Sequence, residues 1–504
     1  MHTLSPGHVT IADGCNVHAL IDGAHALIFD FGRGKIVPAL RKMGVQTVDA
    51  ILLTHPHADQ IAIQPPKKIP IYASSESKPH LTPEGVKKMK ARPLASPVPE
   101  NYRPHTLGLT NLHCTLDPGR GFLWRRRVIR VVPTPGHTKA AITFLVDWNG
   151  RTLAFCGDAV HAPGLIWEPH NLEWDHWSTE GGRAALWGLD RLGSIAIDAL
   201  FPSHGKAEFH SPLRVLNAAR KNLQRWITLR ENIAPRTRVP WLAGEERSKG
   251  LTTFLPHLHR FGGNGVLLAS ENGDALIWDL MAHEVEKLPA ALKELGLERL
   301  DAASATHYHF DHAGGLEAIR KRMKARIILP KGLAPILAHP ERFELPFLPD
   351  CLTEPPDKIL CPNQVWRWNE YEIETWFFPG QTREHYAFAF VVDGQRVLLS
   401  GDNFFPPDRW GGSGGCGRYN QSRPRYFSES ARKVLASKPN ILFAGHQATF
   451  GFSAPYFRKV ITWAQFYESA CRQLGYTPEG QRRNPRISKK TPEIENMTDF
   501  PTRS

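Results

Sequence analysis

The chain of 504 residues has no apolar run long enough to span a bilayer, which excludes a transmembrane helix. The segment Met1 to Asp13 lacks the basic region and apolar core of a secretory signal peptide, so no export is predicted. The seven cysteines are scattered and none lies in a C-x-x-C pair, which excludes a disulfide framework and a cysteine-based zinc site. We therefore predict a reduced, cytoplasmic protein without a membrane partner.

Two further motifs are missing, a phosphate-binding P-loop and the G-x-S-x-G turn of serine hydrolases. Positive charge is in excess: the formal net charge is +13 at pH 7, and the pI is about 9.4. Part of the excess lies in residues 476–504, a polar segment with four prolines that is predicted to be a disordered tail. The positive charge could attract either a small anionic substrate or nucleic acid. We predict a small-molecule substrate as the partner, and the oligomeric state stays open.

Histidine, by contrast, is concentrated. His307, His309, Asp311 and His312 lie within six residues, directly after the apolar run Leu297 to Ala305. In an extended backbone the first two imidazoles point to one face, and the last two residues sit at the following turn. Imidazole and carboxylate ligands together suit zinc, iron or manganese, so this segment predicts a metal site.

The same pattern occurs 252 positions earlier as His55, His57 and Asp59, with Gln60 at the final position. Other landmarks repeat in the same order at offsets of 242 to 249: an apolar strand ending in Asp30 or Asp279, Gly136-His137 or Gly380-Gln381, Gly157-Asp158 or Gly401-Asp402, and His204 or His446. A repeat of this length indicates two tandem domains and not a solenoid. We predict domains at 1–240 and 241–475, each with alternating strands and helices of the α/β class, and a linker near 234–250. Residues 78–105 are predicted to be irregular.

The ordered signature of Asp, H-x-H-x-D-H, Gly-His, Asp and a late His resembles the metallo-β-lactamase superfamily over both halves. The resemblance implies two αββα sandwiches, with ligands on the loops at one edge of each. It also implies one or two divalent ions per domain, most often zinc. The implied activity is a metal-dependent hydrolase, in which a metal-activated hydroxide attacks a small ester, thioester, lactone or phosphodiester.

In domain two the resemblance assigns one ion to His307, His309 and the residue after Gly380, and the other to Asp311, His312 and His446, with Asp402 between them. The residue after Gly380 is Gln381, a weaker ligand than histidine. His385 is predicted either to replace it, to contact substrate, or to be an ordinary core residue.

In domain one the resemblance gives His55, His57, His137 and Asp158 for the first ion, and Asp59 and His204 for the second. Here Gln60 replaces a histidine of the second site. Both domains could hold two ions, each could hold one, or one domain could be a scaffold. We favour domain two as the main catalytic centre, with Asp311, and Asp59 in domain one, as the catalytic carboxylates.

Three other functions stay open. The basic charge suggests a nuclease, although the spacing from His312 to Asp402 is too short for an inserted clamping domain. An iron-dependent oxidoreductase is disfavoured because His309 stands where the di-iron relatives carry Glu. A pseudo-symmetric, non-catalytic binding protein is the third. The glycine-rich segment Gly411 to Arg418 is predicted to be a mobile loop near the pocket.

Overall fold

The computed structural model describes residues 1–90, 108–117, 119–175, 178–232, 237–343, 345–406, 417 and 419–476. They form two compact units. Unit 1 takes its described residues from Met1–Arg92, Val98–Thr228 and Ala470–Thr477, and unit 2 takes its own from Leu229–Ser469. Across the described helices, none combines the length and apolarity needed to cross a membrane.

The first sheet of unit 1 has seven strands in sequential order. They are β1 (His2–Ser5), β2 (His8–Ala12), β3 (Asn16–Asp22), β4 (His25–Phe29), β5 (Thr47–Leu52), β6 (Ile71–Ala73) and β7 (Leu112–Cys114). Strands β1 to β4 are antiparallel, and β4 to β7 are parallel. The parallel strands end at the same edge of the sheet, where the first histidine loop follows β5.

The second sheet of unit 1 has five strands in the order β12-β11-β10-β9-β8. They are β8 (Phe122–Trp124), β9 (Arg127–Pro133), β10 (Ile142–Trp148), β11 (Arg151–Gly157) and β12 (Ala199–Pro202). The helices are α1 (Ile36–Lys42), α2 (Lys78–Leu81), α3 (Pro83–Lys90), α4 (Glu180–Gly193) and α5 (Pro212–Glu231).

Unit 2 repeats this plan, with an eight-stranded and a six-stranded sheet among its described residues. The first sheet contains β13 (Glu245–Ser248), β14 (Leu251–Leu255), β15 (Leu258–Phe261), β16 (Gly265–Ala269), β17 (Asp274–Trp278), β18 (Arg299–Ser304), β19 (Arg326–Pro330) and β20 (Lys358–Leu360). The second contains β21 (Gln364–Trp368), β22 (Tyr371–Phe377), β23 (Tyr386–Val392), β24 (Gln395–Gly401), β25 (Ile441–Ala444) and β26 (Thr449–Gly451). Its helices are α6 (Leu288–Glu294), α7 (Phe310–Ala313), α8 (Leu316–Met323), α9 (Ala334–Ala338), α10 (Pro424–Ser437) and α11 (Ala454–Leu474).

In each unit an apolar core lies between the two sheets. In unit 1 it includes Phe29 of the first sheet, stacked at 3.8 Å between ring centroids on Phe155 of the second. In unit 2 Trp278 stacks in the same way on Phe390, at 5.7 Å. A second cluster in each unit packs the outer face of the first sheet against helices such as α1 and α6. The predicted α/β sandwich in two tandem copies is confirmed.

Two predictions about local structure were wrong. Residues 78–90 are helical, as α2 and α3, because Pro79 and Pro83 occupy first turns, where proline is tolerated; 91–107 fall outside the described residues. The predicted linker contains β13, whose side chains are exposed but whose backbone pairs with β14. A strand whose residues are all charged or polar gives no hydrophobicity pattern, and such strands are typical of sheet edges.

Candidate metal centres

The loop that carries each histidine cluster is fixed by an aspartate at the end of a neighbouring strand. Strand β4 ends at Phe29, and Asp30 then turns into the left-handed region at φ 57°. Its Oδ1 accepts the backbone N–H of Thr54 at 2.9 Å and the Thr54 hydroxyl at 3.0 Å. Asp279 has φ 58°, and its Oδ1 accepts the Thr306 N–H at 2.7 Å. Each carboxylate therefore holds the first residue of a histidine loop.

In unit 1 the structure brings together three buried imidazoles. One ring nitrogen from each of His55, His57 and His137 lies within 4.8 Å of the others. The His57 Nδ1 and His137 Nε2 atoms are 3.0 Å apart, close enough for both to bind one tetrahedral ion. Asp158 Oδ2 lies 3.5 Å from His55 Nε2 and 3.4 Å from His137 Nε2. Burial lowers the pKa of His55 to about 3, so its nitrogen is available as a ligand at neutral pH.

The predicted second-site residues of unit 1 lie beside this group but do not converge in the same way. His204 uses opposite ring nitrogens for its two carboxylates: Nδ1 lies 2.9 Å from Asp158 Oδ1, and Nε2 lies 3.2 Å from Asp59 Oδ2. The same Nε2 is 3.0 Å from the carbonyl oxygen of Gly14. The indole of Trp167 stacks on the His204 ring at 4.6 Å. Although burial opposes it, the Asp158 and Asp59 carboxylates raise the pKa of His204 to about 9.

In unit 2 the convergent group is a different one. Ligand atoms of Asp311, His312, Asp402 and His446 all lie within 4.8 Å of one another. Asp402 Oδ1 is 3.3 Å from His312 Nε2, and Asp402 Oδ2 is 3.2 Å from His446 Nε2. Asp311 Oδ2 lies 3.5 Å from the former nitrogen and 3.7 Å from the latter. Despite the opposing effect of burial, His312 and His446 hold the pKa of Asp402 well below its usual range. A fully buried carboxylate in this position needs a cationic partner.

The predicted first site of unit 2 keeps two imidazoles. His307 Nε2 and His309 Nδ1 are 3.1 Å apart, and both residues are buried. The other nitrogen of His309 faces Asn420 Oδ1 at 3.0 Å, and Asn420 also accepts the Tyr308 hydroxyl at 2.8 Å. This contact orients the His309 ring, so its Nδ1 points to His307.

The Gln381 and His385 side chains both contact Asp402. The Gln381 amide lies with Nε2 at 3.0 Å from Asp402 Oδ2. The His385 ring stacks on His307 at 4.8 Å with 13° between planes, and its Nε2 accepts the Asp402 backbone N–H at 3.2 Å. In this arrangement the buried His385 ring supports the Asp402 turn, and its part in metal binding stays a prediction.

Several residues that hold the centres were missed from the sequence. Asn264 donates to the carbonyl oxygen of Asp311 at 3.0 Å and accepts the His446 N–H at 2.6 Å. The buried guanidinium of Arg260 donates to the carbonyl oxygens of Ala444 and Ala448, which flank His446. The repeat offered a signal for one of them, because Asn264 follows Asn16 by 248 positions. Nothing comparable marks Arg260, since the equivalent strand position in unit 1 is a threonine.

Two predicted features fall outside the described residues. They are the glycine-rich segment Gly411 to Arg418, apart from Gly417, and the tail 476–504, apart from Tyr476.

The fold and the centres together define an α/β sandwich of two sheets and outer helices, with histidine and carboxylate groups on its loops, present twice. A sequence model of the metallo-beta-lactamase superfamily matches residues 10–205 and 259–446, and the chain belongs to that superfamily.

The chain is also similar to individual proteins. The chain is 30% identical over 151 residues to a hydroxyacylglutathione hydrolase of Chromohalobacter salexigens, covering 30% of this chain and 49% of the relative. It is 27% identical over 188 residues to one of Hydrogenovibrio crunogenus, covering 36% and 59%. The chain thus spans less than two thirds of the length of these relatives. A metallo-β-lactamase of Cronobacter sakazakii with a HARLDQ motif has a TM-score of 0.36 and 18% identity, over 47% of this chain and 98% of that one.

Proposed function

We propose that the chain is a metal-dependent hydrolase with its main catalytic centre in unit 2, acting on a small thioester. The convergence of Asp311, His312, Asp402 and His446 carries this proposal. The thioester is the substrate class to test first because the relatives are named hydroxyacylglutathione hydrolases. The positive net charge of +13 suits an anionic substrate of this kind.

The donor sets fit divalent ions of the zinc type. Neutral imidazole and carboxylate are the ligands that zinc prefers, and iron and manganese accept the same atoms. In unit 1 the residues to hold an ion are His55, His57, His137 and Asp158. A divalent ion bound in such a group polarises a carbonyl oxygen and lowers the pKa of water.

The protein residues of unit 2 divide the remaining work. Asp402 is almost fully buried and sits between two imidazoles, so it fixes their spacing. The Asp311 side chain is 19% exposed and is the more accessible carboxylate of the group. We propose its Oδ2 as the acceptor of a proton from the attacking water. Asn264 holds both Asp311 and His446 in register through its amide.

The test is hydrolysis of a hydroxyacyl thioester of glutathione by the zinc-loaded full chain. The reaction is measured by the appearance of the free thiol. We expect Asp402→Asn to lower kcat/KM by about 100-fold or more, because it removes the carboxylate shared by two ligand histidines. Asp158→Asn is the matched change in unit 1, and we expect it to cost much less. A larger loss for Asp158→Asn would move the main centre to unit 1.

Turnover of neither the thioester nor a generic ester or phosphodiester by metal-loaded protein would overturn the hydrolase proposal. The same assays address the nuclease, the iron-dependent oxidoreductase and the binding protein, since each predicts a different pattern of turnover and metal content. The cytoplasmic location stays a prediction.

A further inference from the structure

The duplicated chain holds two versions of one local arrangement. Asp30 and Asp279 are equivalent, since both end a strand at a φ near 57° and both accept the N–H of the threonine that opens a histidine loop. Their remaining partner differs. Asp279 Oδ2 lies 3.2 Å from Nδ1 of His312, whereas Asp30 Oδ2 accepts the Ser203 hydroxyl at 2.7 Å.

The position equivalent to Ser203 in unit 2 is Gly445, because each directly precedes the late histidine of its unit. A Cβ at Gly445 would lie 1.9 Å from Asp402 Oδ1 and 3.1 Å from His312 Cε1. Unit 2 therefore has no room for a side chain at this position while His312 and Asp402 keep their places. The histidine and the glycine depend on each other.

In unit 1 the positions of His312 and Gly445 are occupied by Gln60 and Ser203. The Gln60 side chain is fully buried, and within the described residues its amide nitrogen and oxygen have no hydrogen-bond partner. Its amide is thus not oriented by Asp30 in the way that Asp279 faces the His312 ring. A ligand that its neighbours do not orient binds an ion weakly.

The late histidines differ accordingly. In unit 2 a single nitrogen, Nε2 of His446, faces both Asp402 at 3.2 Å and Asp311 at 3.7 Å. In unit 1 the two carboxylates are bound by opposite nitrogens of His204, and its Nε2 also faces the Gly14 carbonyl oxygen at 3.0 Å. His204 and Asp59 thus bind each other and do not converge with a third ligand.

We propose that unit 1 binds a single divalent cation, at His55, His57 and His137, and that the Gln60–Ser203 pair abolishes its second position. This rests on the proposed function only in assuming that the groups bind metal. Rebuilding the second position requires both changes of the pair. Gln60→His brings in the imidazole, and Ser203→Gly frees Asp30 and the space beside it.

The first test compares zinc content by atomic emission for the full chain and two matched variants, after removal of unbound metal. Asp59→Asn should retain the wild-type number of zinc equivalents, because no cation depends on Asp59. Asp311→Asn, the same change in unit 2, should lose about one equivalent. Loss of one equivalent in Asp59→Asn would overturn the single-cation proposal.

The second test asks for a gain. Gln60→His/Ser203→Gly should bind about one more zinc equivalent than the wild type, while neither single variant should. A gain by Gln60→His alone would show that Ser203 does not block the position and would overturn the coupling. Should the double variant not fold, the Asp59→Asn comparison still decides.

The same measurements separate this inference from the proposed function. If wild-type protein retains no zinc, metal binding itself fails, and the proposed function fails with it. If the wild type retains zinc but His57→Ala leaves the zinc content unchanged, the single-cation inference fails while the centre of unit 2 stands. If His57→Ala loses one equivalent and Asp59→Asn loses another, metal binding stands and only the single-cation inference fails.

Discussion

Single residues decide how unit 1 responds to acid. His8 and His18 are buried beside Phe155 and Phe201, with His8 Nε2 and His18 Nδ1 3.2 Å apart. Burial lowers the pKa of His8 to about 4, and burial together with His8 lowers the pKa of His18 further. Both rings are therefore neutral in the folded state at pH 7.

We predict that this pair destabilises the fold as the pH falls. A histidine whose folded pKa is depressed contributes stability above its unfolded pKa of 6.5, and that contribution is lost as the pH falls towards about 4. For His8 the loss is on the order of 3 kcal/mol. The corresponding strand positions of unit 2 hold Leu258 and Val266, so His8→Leu/His18→Val provides a substitution that the fold already uses.

Urea unfolding of the metal-free full chain at pH 7 and pH 4.5 would measure this effect. The double variant should lose less free energy of unfolding than the wild type between the two pH values. An unchanged pH dependence would contradict the assignment of acid sensitivity to this pair.

At the scale of secondary structure, Arg260 of β15 ties its strand to the turn between β25 and β26. Its guanidinium donates to the carbonyl oxygens of Ala444 and Ala448, and its Nε lies 3.0 Å from the Thr449 hydroxyl. The turn between these residues carries His446 at φ 52°. Burial lowers the pKa of Arg260 to about 9, which leaves it charged at pH 7.

We predict that Arg260→Met destabilises the protein by about 3 kcal/mol and weakens zinc binding in unit 2. Methionine fills the space but removes the Arg260 donor from the Ala444 carbonyl oxygen and one of the two donors of the Ala448 carbonyl oxygen, which keeps the Ala444 N–H. Loss of buried hydrogen bonds from a charged donor costs about 1.5–3 kcal/mol each. Thermal unfolding and competition with a zinc chelator measure the two effects. Arg425→Met is the control, since that side chain is 52% exposed. Equal effects of both variants would argue against a role in positioning His446.

The sequence predicted most elements because their boundaries carry local signals. Strands β5 and β18 are apolar runs that end at histidine loops, and the two Asn-Gly and Asp-Gly turns of the second sheets mark hairpins. The residues that converge in the two candidate centres could be singled out for a similar reason, since they are clustered and repeated in the sequence. It could not predict Asn420 or Arg260, because a residue that orients a ligand is near it only in space. The direction of the His385 ring likewise depends on stacking, which spacing along the chain does not reveal.

At the scale of the whole molecule, we predict that metal binding contributes to stability. Asp158 and Asp402 are buried carboxylates surrounded by histidines, and a bound cation in each unit offsets the cost of burying the carboxylate. A ligand that binds only the folded state at about 100 times its Kd adds roughly 2.7 kcal/mol per site. Dialysis against a chelator should therefore lower Tm, and added zinc should restore it.

A variant with both carboxylates neutralised, Asp158→Asn/Asp402→Asn, supplies the control. Its Tm should respond much less to the chelator than that of the wild type. A full response in this variant would place the stabilising metal elsewhere in the chain.

The left-handed aspartates bear on the order in which function can be lost from a duplicated domain. A non-glycine residue at this φ is strained, yet both copies keep it, although in unit 1 the imidazole it could orient is gone. What the copies share is the threonine backbone that the carboxylate anchors. The hydrogen bond from the aspartate to the threonine is thus needed for the loop conformation and not for one particular ion. A domain can therefore lose a metal position while its fold stays unchanged.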